Sequence, residues 1–188
     1  GSLFLSDLGA YIERFEFADG TSLSGFDFAS NDRVSLQGTA GDDVIVGTLG
    51  SNYINGKEGN DTLDAGGYGG IWQHLWGREG DDTYLIGADD GGVWITKSGE
   101  WASSGTDTVR FKDLVLSDFY EITTYDHASY GEALWLKWDK DGNSGSLFLS
   151  DLGAYIERFE FADGTSLSGF DFASNDRISL QGTAGDDV

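Results

Sequence analysis

The chain has 188 residues, 39% hydrophobic and 23% charged, enough apolar material for the packed core of one domain or a little more. A formal net charge of −22 excludes nucleic acid and an anionic membrane surface as partners, because both demand basic residues. The chain has no Cys, which excludes disulfides, thiolate zinc sites and a cysteine nucleophile, and no apolar run is long enough to be inserted in a membrane.

The opening stretch, residues 1–44 (GSLFLSDLGAYIERFEFADGTSLSGFDFASNDRVSLQGTAGDDV), returns at 145–188 with one change, Val34 to Ile178. The offset is 144 residues, so the chain holds one full repeat and the start of the next. Near-identity over such a length predicts a tandem array in a longer parent. Residues 1–35 then read as the tail of a preceding unit. Their strand Ser2–Ser6 repeats Ser146–Ser150, which forms a hairpin with Glu132–Trp138 across the turn formers of DKDGNSG. At residues 1–35 that partner is missing, so an unpaired edge is expected there, open to a strand of another copy.

From residue 36 to residue 88 the sequence falls into rows of nine: GTAGDDVIV from Gly38, GTLGSNYIN from Gly47, GKEGNDTLD from Gly56 and GREGDDTYL from Gly77. A longer row, AGGYGGIWQHLW, interrupts them at Ala65–Trp76. Each nine-residue row has glycine first and fourth, Asp or Asn sixth, and an apolar or aromatic residue eighth: Ile45, Ile54, Leu63 and Tyr84. Leu75 takes the eighth slot of the long row if three residues are inserted before it. The pattern predicts a short strand after a tight glycine turn, with the eighth side chain pointing inward. Two rows make one coil of a flattened solenoid. Asp43, Asp61 and Asp82 then stack along one edge, and Asn52 and Gln73 along the other. Carboxylates over turn carbonyls make a hard oxygen cage of the kind calcium takes.

At these rows the sequence resembles the RTX family, the haemolysin-type calcium-binding nonapeptide repeat G-G-x-G-x-D-x-U-x. The resemblance implies a parallel β-roll with Ca2+ held between successive turns and the sixth-position Asp as ligand. It makes Asp43, Asp61 and Asp82 the main ligand candidates, with Asp42, Asn60 and Asp81 beside them. Gly38, Gly41, Gly56, Gly59, Gly77 and Gly80 become the turn glycines, and Asp187 is the counterpart of Asp43 in the next repeat. The second position departs from the family, being Thr, Thr, Lys and Arg instead of Gly. Asn52 replaces Asp on the second edge. About two good sites are therefore expected on the first edge and a weak or absent one on the second.

Residues 89–180 read as an antiparallel β-rich linking segment with hairpins, and 181–188 as the start of the next roll. DTVRFKDLVLSDF, ALWLKWDKDG and IERFEFADGT resemble the segment found between RTX blocks in long secreted proteins. Trp135 and Trp138, at odd spacing, cannot share a strand face. His74 and His127 are the only histidines, and no GxSxG motif accompanies them, so no catalytic residue is expected. The fold class is all-β. The expected function is a calcium-binding structural repeat of a large extracellular adhesin, surface-layer or fibre protein, neighbouring identical repeats being its partners. The family resemblance implies export by a type I secretion route. The alternatives are a carbohydrate-binding repeat using exposed Trp, and an accessory domain of a secreted polysaccharide-modifying enzyme.

Overall fold

A computed structural model describes residues 14–16, 22–24, 33–48, 51–66, 72–96, 105–127, 131–150 and 156–173. The strands are β1 (Arg14–Glu16), β2 (Ser22–Ser24), β3 (Arg33–Gln37), β4 (Val44–Val46), β5 (Ser51–Glu58), β6 (Thr62–Asp64), β7 (Trp72–Glu79) and β8 (Thr83–Ile86). They continue with β9 (Gly92–Ile95), β10 (Thr108–Phe111), β11 (Phe119–His127), β12 (Gly131–Lys140), β13 (Asn143–Leu149), β14 (Arg158–Glu160) and β15 (Ser166–Ser168), followed by a short helix α1 (Gly169–Ala173). Among the described residues no helix is long and apolar enough to cross a membrane. Ser2–Ser6 lies outside the described residues.

The chain winds between two sheets. In one, β3, β5, β7, β9 and β13 lie side by side in parallel. In the other, β4, β6, β8, β10 and β14 do the same. This is the expected β-roll, and its core is a pair of facing ladders. Ile45, Leu63, Tyr84, Val109 and Phe159 pair in succession on one sheet. Leu36, Ile54, Leu75, Ile95 and Leu149 do so on the other, and all ten are buried. Burial of each side chain contributes about 1.5–3 kcal/mol before chain entropy is charged against it. Leu75 stands opposite Ile54, so the long row does carry its insertion ahead of the inward residue.

The roll does not stop at residue 88, where the rows of nine end. β9, β10, β13 and β14 add to it in the same register, and the segment read as a separate antiparallel linker supplies those strands. Between β10 and β13 the β11–β12 hairpin is inserted, antiparallel to β13 through β12. The β12–β13 hairpin turns at Asp141 and Gly142, which hold φ of 52° and 83°, as the Asp-Gly signal predicts. The two tryptophans of β12 part company as their spacing requires. Trp138 is fully buried and donates from Nε1 to the Ala88 carbonyl at 3.0 Å, while Trp135 stacks under the Lys137 ammonium at 4.7 Å. Phe172 of α1 packs on Phe159 with ring centres 4.6 Å apart and covers the last coil of the roll.

On the outer face of the larger sheet, Tyr53, His74, Trp94 and Phe148 stand opposite one another across β5, β7, β9 and β13. His74 is sandwiched, 4.6 Å from Tyr53 and 5.3 Å from Trp94 between ring centres. It is a packing residue of an aromatic ribbon. The side chain of His127 lies outside the described residues.

Candidate metal centre

Each turn between the sheets places its sixth residue at the mouth of the roll, where it bonds to the neighbouring coil. The Asp43 N–H donates to Asp61 Oδ1 and the Asp61 N–H to Asp82 Oδ1, both at 2.9 Å. The Asp82 N–H donates to Asp107 Oδ1 at 2.9 Å, and the Asp107 N–H to Glu157 Oε2 at 2.7 Å. One oxygen of each carboxylate from Asp61 onward thus ties a coil to the coil before it. A second, outer ladder runs the other way. The Asn60 N–H donates to Asp42 Oδ1, the Asp81 N–H to Asn60 Oδ1 and the Thr106 N–H to Asp81 Oδ1, at 2.7–2.8 Å. Asp42, Asn60 and Asp81 are exposed, and their side chains zip the turns together.

The other carboxylate oxygens define the site. Asp61 and Asp82 are each 1% exposed, and their Oδ2 atoms have no hydrogen-bond partner. Asp61 Oδ2 occupies the space a side chain at Gly56 would fill, and the Gly77 carbonyl of the next coil lies 2.9 Å from the same point. Gly38 has a similar arrangement, with Asp43 Oδ2 2.8 Å from the equivalent point and the Gly56 carbonyl closer still, but this Oδ2 is half-buried and also accepts the Thr39 N–H at 2.6 Å and the Thr39 hydroxyl at 3.0 Å. These are two oxygen cradles, each built from a carboxylate, a glycine without a side chain and the carbonyl of the following coil. At Gly77 the cradle holds Asp82 Oδ2 and the Tyr84 hydroxyl, which accepts the Gly77 N–H at 3.0 Å. Among the described residues no three acidic or imidazole groups converge on one point, so a cation here takes main-chain oxygens as well.

The electrostatics run against a metal-free ladder. Burial, together with the Asp43 and Asp42 charges, raises the Asp61 carboxyl to about 6 despite the Asp43 N–H that favours its ionised form. Burial and the Asp61 and Asp81 charges push Asp82 to about 7. Asp107 rises to about 7 through burial and the charges of Asp82 and Glu157. Buried like charges with unsatisfied oxygens are stable only if neutralised, and a hard dication at oxygen ligands does this directly. The residues present fit calcium.

The second edge is built differently. Asn52 and Gln73 are both fully buried, and the Asn52 N–H and Nδ2 each donate to Gln73 Oε1 at 2.8 Å. Asn52 Nδ2 also donates to the Thr48 carbonyl, and Asn52 Oδ1 accepts from the Thr48 N–H. The space over Gly47 is faced by Asn52 Nδ2 at 3.2 Å, a donor where the first edge presents an oxygen. Val34 and Val93 flank this amide pair on the neighbouring strands. The edge satisfies itself without a cation.

Two ladder members escape a reading by rows of nine. Asp107 follows Gly105 and precedes inward Val109, so GTDTV has the spacing of a row's second half, but the residue in the row's first position is Ala102. Glu157 has Leu152 and Tyr155 where a row has its two glycines, and substitutes a longer acid; only its distance of two from inward Phe159 marks it. The second-position departures are also visible. Lys57 and Arg78 hold φ of 88° and 84°, the left-handed region that favours glycine. Their side chains return bonds, Lys57 Nζ to the Gly38 carbonyl at 2.5 Å and Arg78 Nε to Asn55 Oδ1 at 2.6 Å. Asp187 lies outside the described residues.

A search of curated proteins finds no match. Among solved structures, the chain is similar to the AlgE6R3 subunit of the mannuronan C5-epimerase from Azotobacter vinelandii, solved in solution. The identity is 23%, covering 84% of this chain and 90% of that one, with a TM-score of 0.43. Residues 36–67 match the family model of the RTX calcium-binding nonapeptide repeat (4 copies). The matched rows are those whose glycines and acids build the two cradles, and residues 36–67 thus carry the RTX calcium-binding repeat within a parallel β-roll.

Proposed function

We propose that this chain is a non-catalytic structural unit of a large extracellular tandem-repeat protein, an adhesin, surface-layer component or fibre, whose roll folds and stiffens on calcium. The observation that supports it most is the pair of buried, unpartnered carboxylate oxygens on Asp61 and Asp82. Bound calcium supplies the positive charge that such a ladder lacks. The 144-residue recurrence supplies the array. RTX repeats are typical of secreted proteins. A chain whose charge opposes folding where calcium is scarce suits export in the unfolded state by a type I route, followed by folding outside the cell. Successive repeats then pack head to tail.

The test is a titration of the chain with calcium from chelator to millimolar, followed by circular dichroism and light scattering. The expected result is a gain of β structure with a midpoint that Asp61→Asn raises. A chain equally folded in chelator and indifferent to calcium sinks the proposal. Growth of scattering in the same titration would favour a filament, and a folded monomer a spacer.

A carbohydrate-binding role has one observation in its favour. Trp72 and Tyr120, 42% and 65% exposed, flank a groove of about 310 Å³ with Lys137, Ser144 and Ser146 in its wall. Aromatic faces beside hydroxyl and ammonium donors suit a sugar ring. Loss of binding to a soluble polysaccharide on Trp72→Ala, with the fold intact, would carry that reading.

A further inference from the structure

The sequence IERFEFADGTSLS occurs at 12–24 and again at 156–168. Both copies make the same hairpin. Arg14, Phe15 and Glu16 of β1 stand opposite Ser24, Leu23 and Ser22 of β2, and Arg158, Phe159 and Glu160 of β14 stand opposite Ser168, Leu167 and Ser166 of β15. Yet the two hairpins attach to different places. The first joins the start of the roll through its second strand, with β2 antiparallel to β3 and Ser22 opposite Gln37. The second joins the end of the roll through its first strand, with β14 parallel to β10. Among the described residues, β1 and β15 each stand at an end of their sheet.

The two attachments use opposite edges of one hairpin, so they are compatible in a single copy. From this we propose that the hairpin is a splice between successive repeats. Its first strand closes the roll behind it, and its second strand seats the first strand of the roll ahead. The occupant of the free β15 edge is the following repeat's counterpart of β3, residues 177–181 (RISLQ). This segment repeats β3 with Ile178 in place of Val34, and it lies outside the described residues. The edge each hairpin leaves open is the edge its twin has filled.

One consequence is topological. β14 belongs to the six-stranded sheet that holds β4, β6, β8 and β10, whereas β2 belongs to the nine-stranded one that holds β3. The splice therefore runs the six-stranded sheet of one unit into the nine-stranded sheet of the next. Main-chain hydrogen bonds pass through the hairpin without a break from roll to roll, and neither edge of the hairpin is left open. This makes an array stiff across its joints, where a flexible tether would let each unit swing. The inference rests on the tandem-array reading of function, but not on the metal.

The experiment uses a two-repeat chain, residues 1–188 followed by a further copy of 45–188, carrying Ser166→Cys and Gln181→Cys in the first copy. The natural sequence has no cysteine, so any cross-link is the introduced one. Residues directly opposite in antiparallel strands are close enough for a disulfide. The control pair, Ser22→Cys with Gln37→Cys, reports the pairing already seen between β2 and β3. Mild oxidation of the folded chain is expected to link positions 166 and 181 within one molecule in most of the sample, read by mass and by gel mobility. Free thiols at 166 and 181 in a chain whose control pair cross-links would overturn the splice. Circular dichroism on the same samples with and without calcium tests the metal separately, so failure of either idea is told from failure of the other.

Discussion

Replacing Asp82 with Asn should change stability in opposite directions with and without calcium. In the metal-free roll an ionised Asp82 carries the cost of its shift from 3.8 to about 7, which is about 4 kcal/mol at a pH above both values. The amide keeps an oxygen for the Asp61 N–H at 2.9 Å and removes the charge that is in repulsion with Asp61 and Asp107. Against this, its NH2 group replaces a buried oxygen and must find an acceptor, at a cost of about 1–3 kcal/mol if it finds none. The net expectation in chelator at pH 8 is a gain of about 1–3 kcal/mol. In calcium the variant has lost a carboxylate from the ladder, so its calcium-induced stabilisation falls and the parent becomes the more stable of the two. Urea unfolding followed by circular dichroism, in chelator and in millimolar calcium, measures both. A variant weaker than the parent in chelator would refute the account of a ladder held against its own repulsion. An unchanged calcium response would refute the ladder as the metal site.

The pH profile follows from the same carboxyls. Their folded values, about 6 for Asp61 and about 7 for Asp82 and Asp107, lie above the unfolded ones, so the favourable contribution is full below pH ~4 and is lost as pH rises through 6–7. Thermal unfolding in chelator should therefore show a more stable roll at pH 4.5 than at pH 8, and millimolar calcium should remove most of that difference. Gly80→Ala and Gly41→Ala test the stacking of the turns at the same place in the repeat. Gly80 has φ of 123° and its added methyl would run into the Gly59 carbonyl, whereas the nearest atom to a methyl at Gly41 is Thr39 Oγ1 at 4.0 Å. The first should cost about 3 kcal/mol or more and the second less than about 1 kcal/mol in urea midpoints. Asn52→Asp removes the two Nδ2 donations to Thr48 and Gln73 and turns a carboxylate toward Gln73 Oε1. It should lower stability in chelator by about 2 kcal/mol and make the second edge responsive to calcium, seen as a steeper titration.

The roll was legible where its period was short. Between Gly38 and Leu85 the phases of glycine, acid and inward apolar residue coincide row after row, and the structure places Ile45, Leu63 and Tyr84 in one stack as that pattern requires. The long row was recoverable because its inward Leu75 could be aligned by insertion. Beyond residue 88 the period fails while the fold continues. Asp61 is separated from Asp82 by 21 residues, Asp82 from Asp107 by 25, and Asp107 from Glu157 by 50. Closing a connection twice as long costs only about 0.6 kcal/mol more, so a coil can be extended to hold a whole hairpin without leaving the roll. A pattern search keyed to a fixed period cannot see such a coil. What persists through all the coils is the pair of an edge acid and an inward residue two positions later: Asp43 and Ile45, Asp61 and Leu63, Asp82 and Tyr84, Asp107 and Val109, Glu157 and Phe159. That pair carries both the core and the ladder, because one side chain stacks inside the roll while the other ties its turn to the next. The glycines serve the close stacking of turn on turn, at Gly47 on the second edge and Gly105 beside Asp107 as well as in the cradles. Where Glu157 ends the ladder exposed to solvent, its charge is already hydrated, and neither a glycine turn nor a cation is needed to hold it.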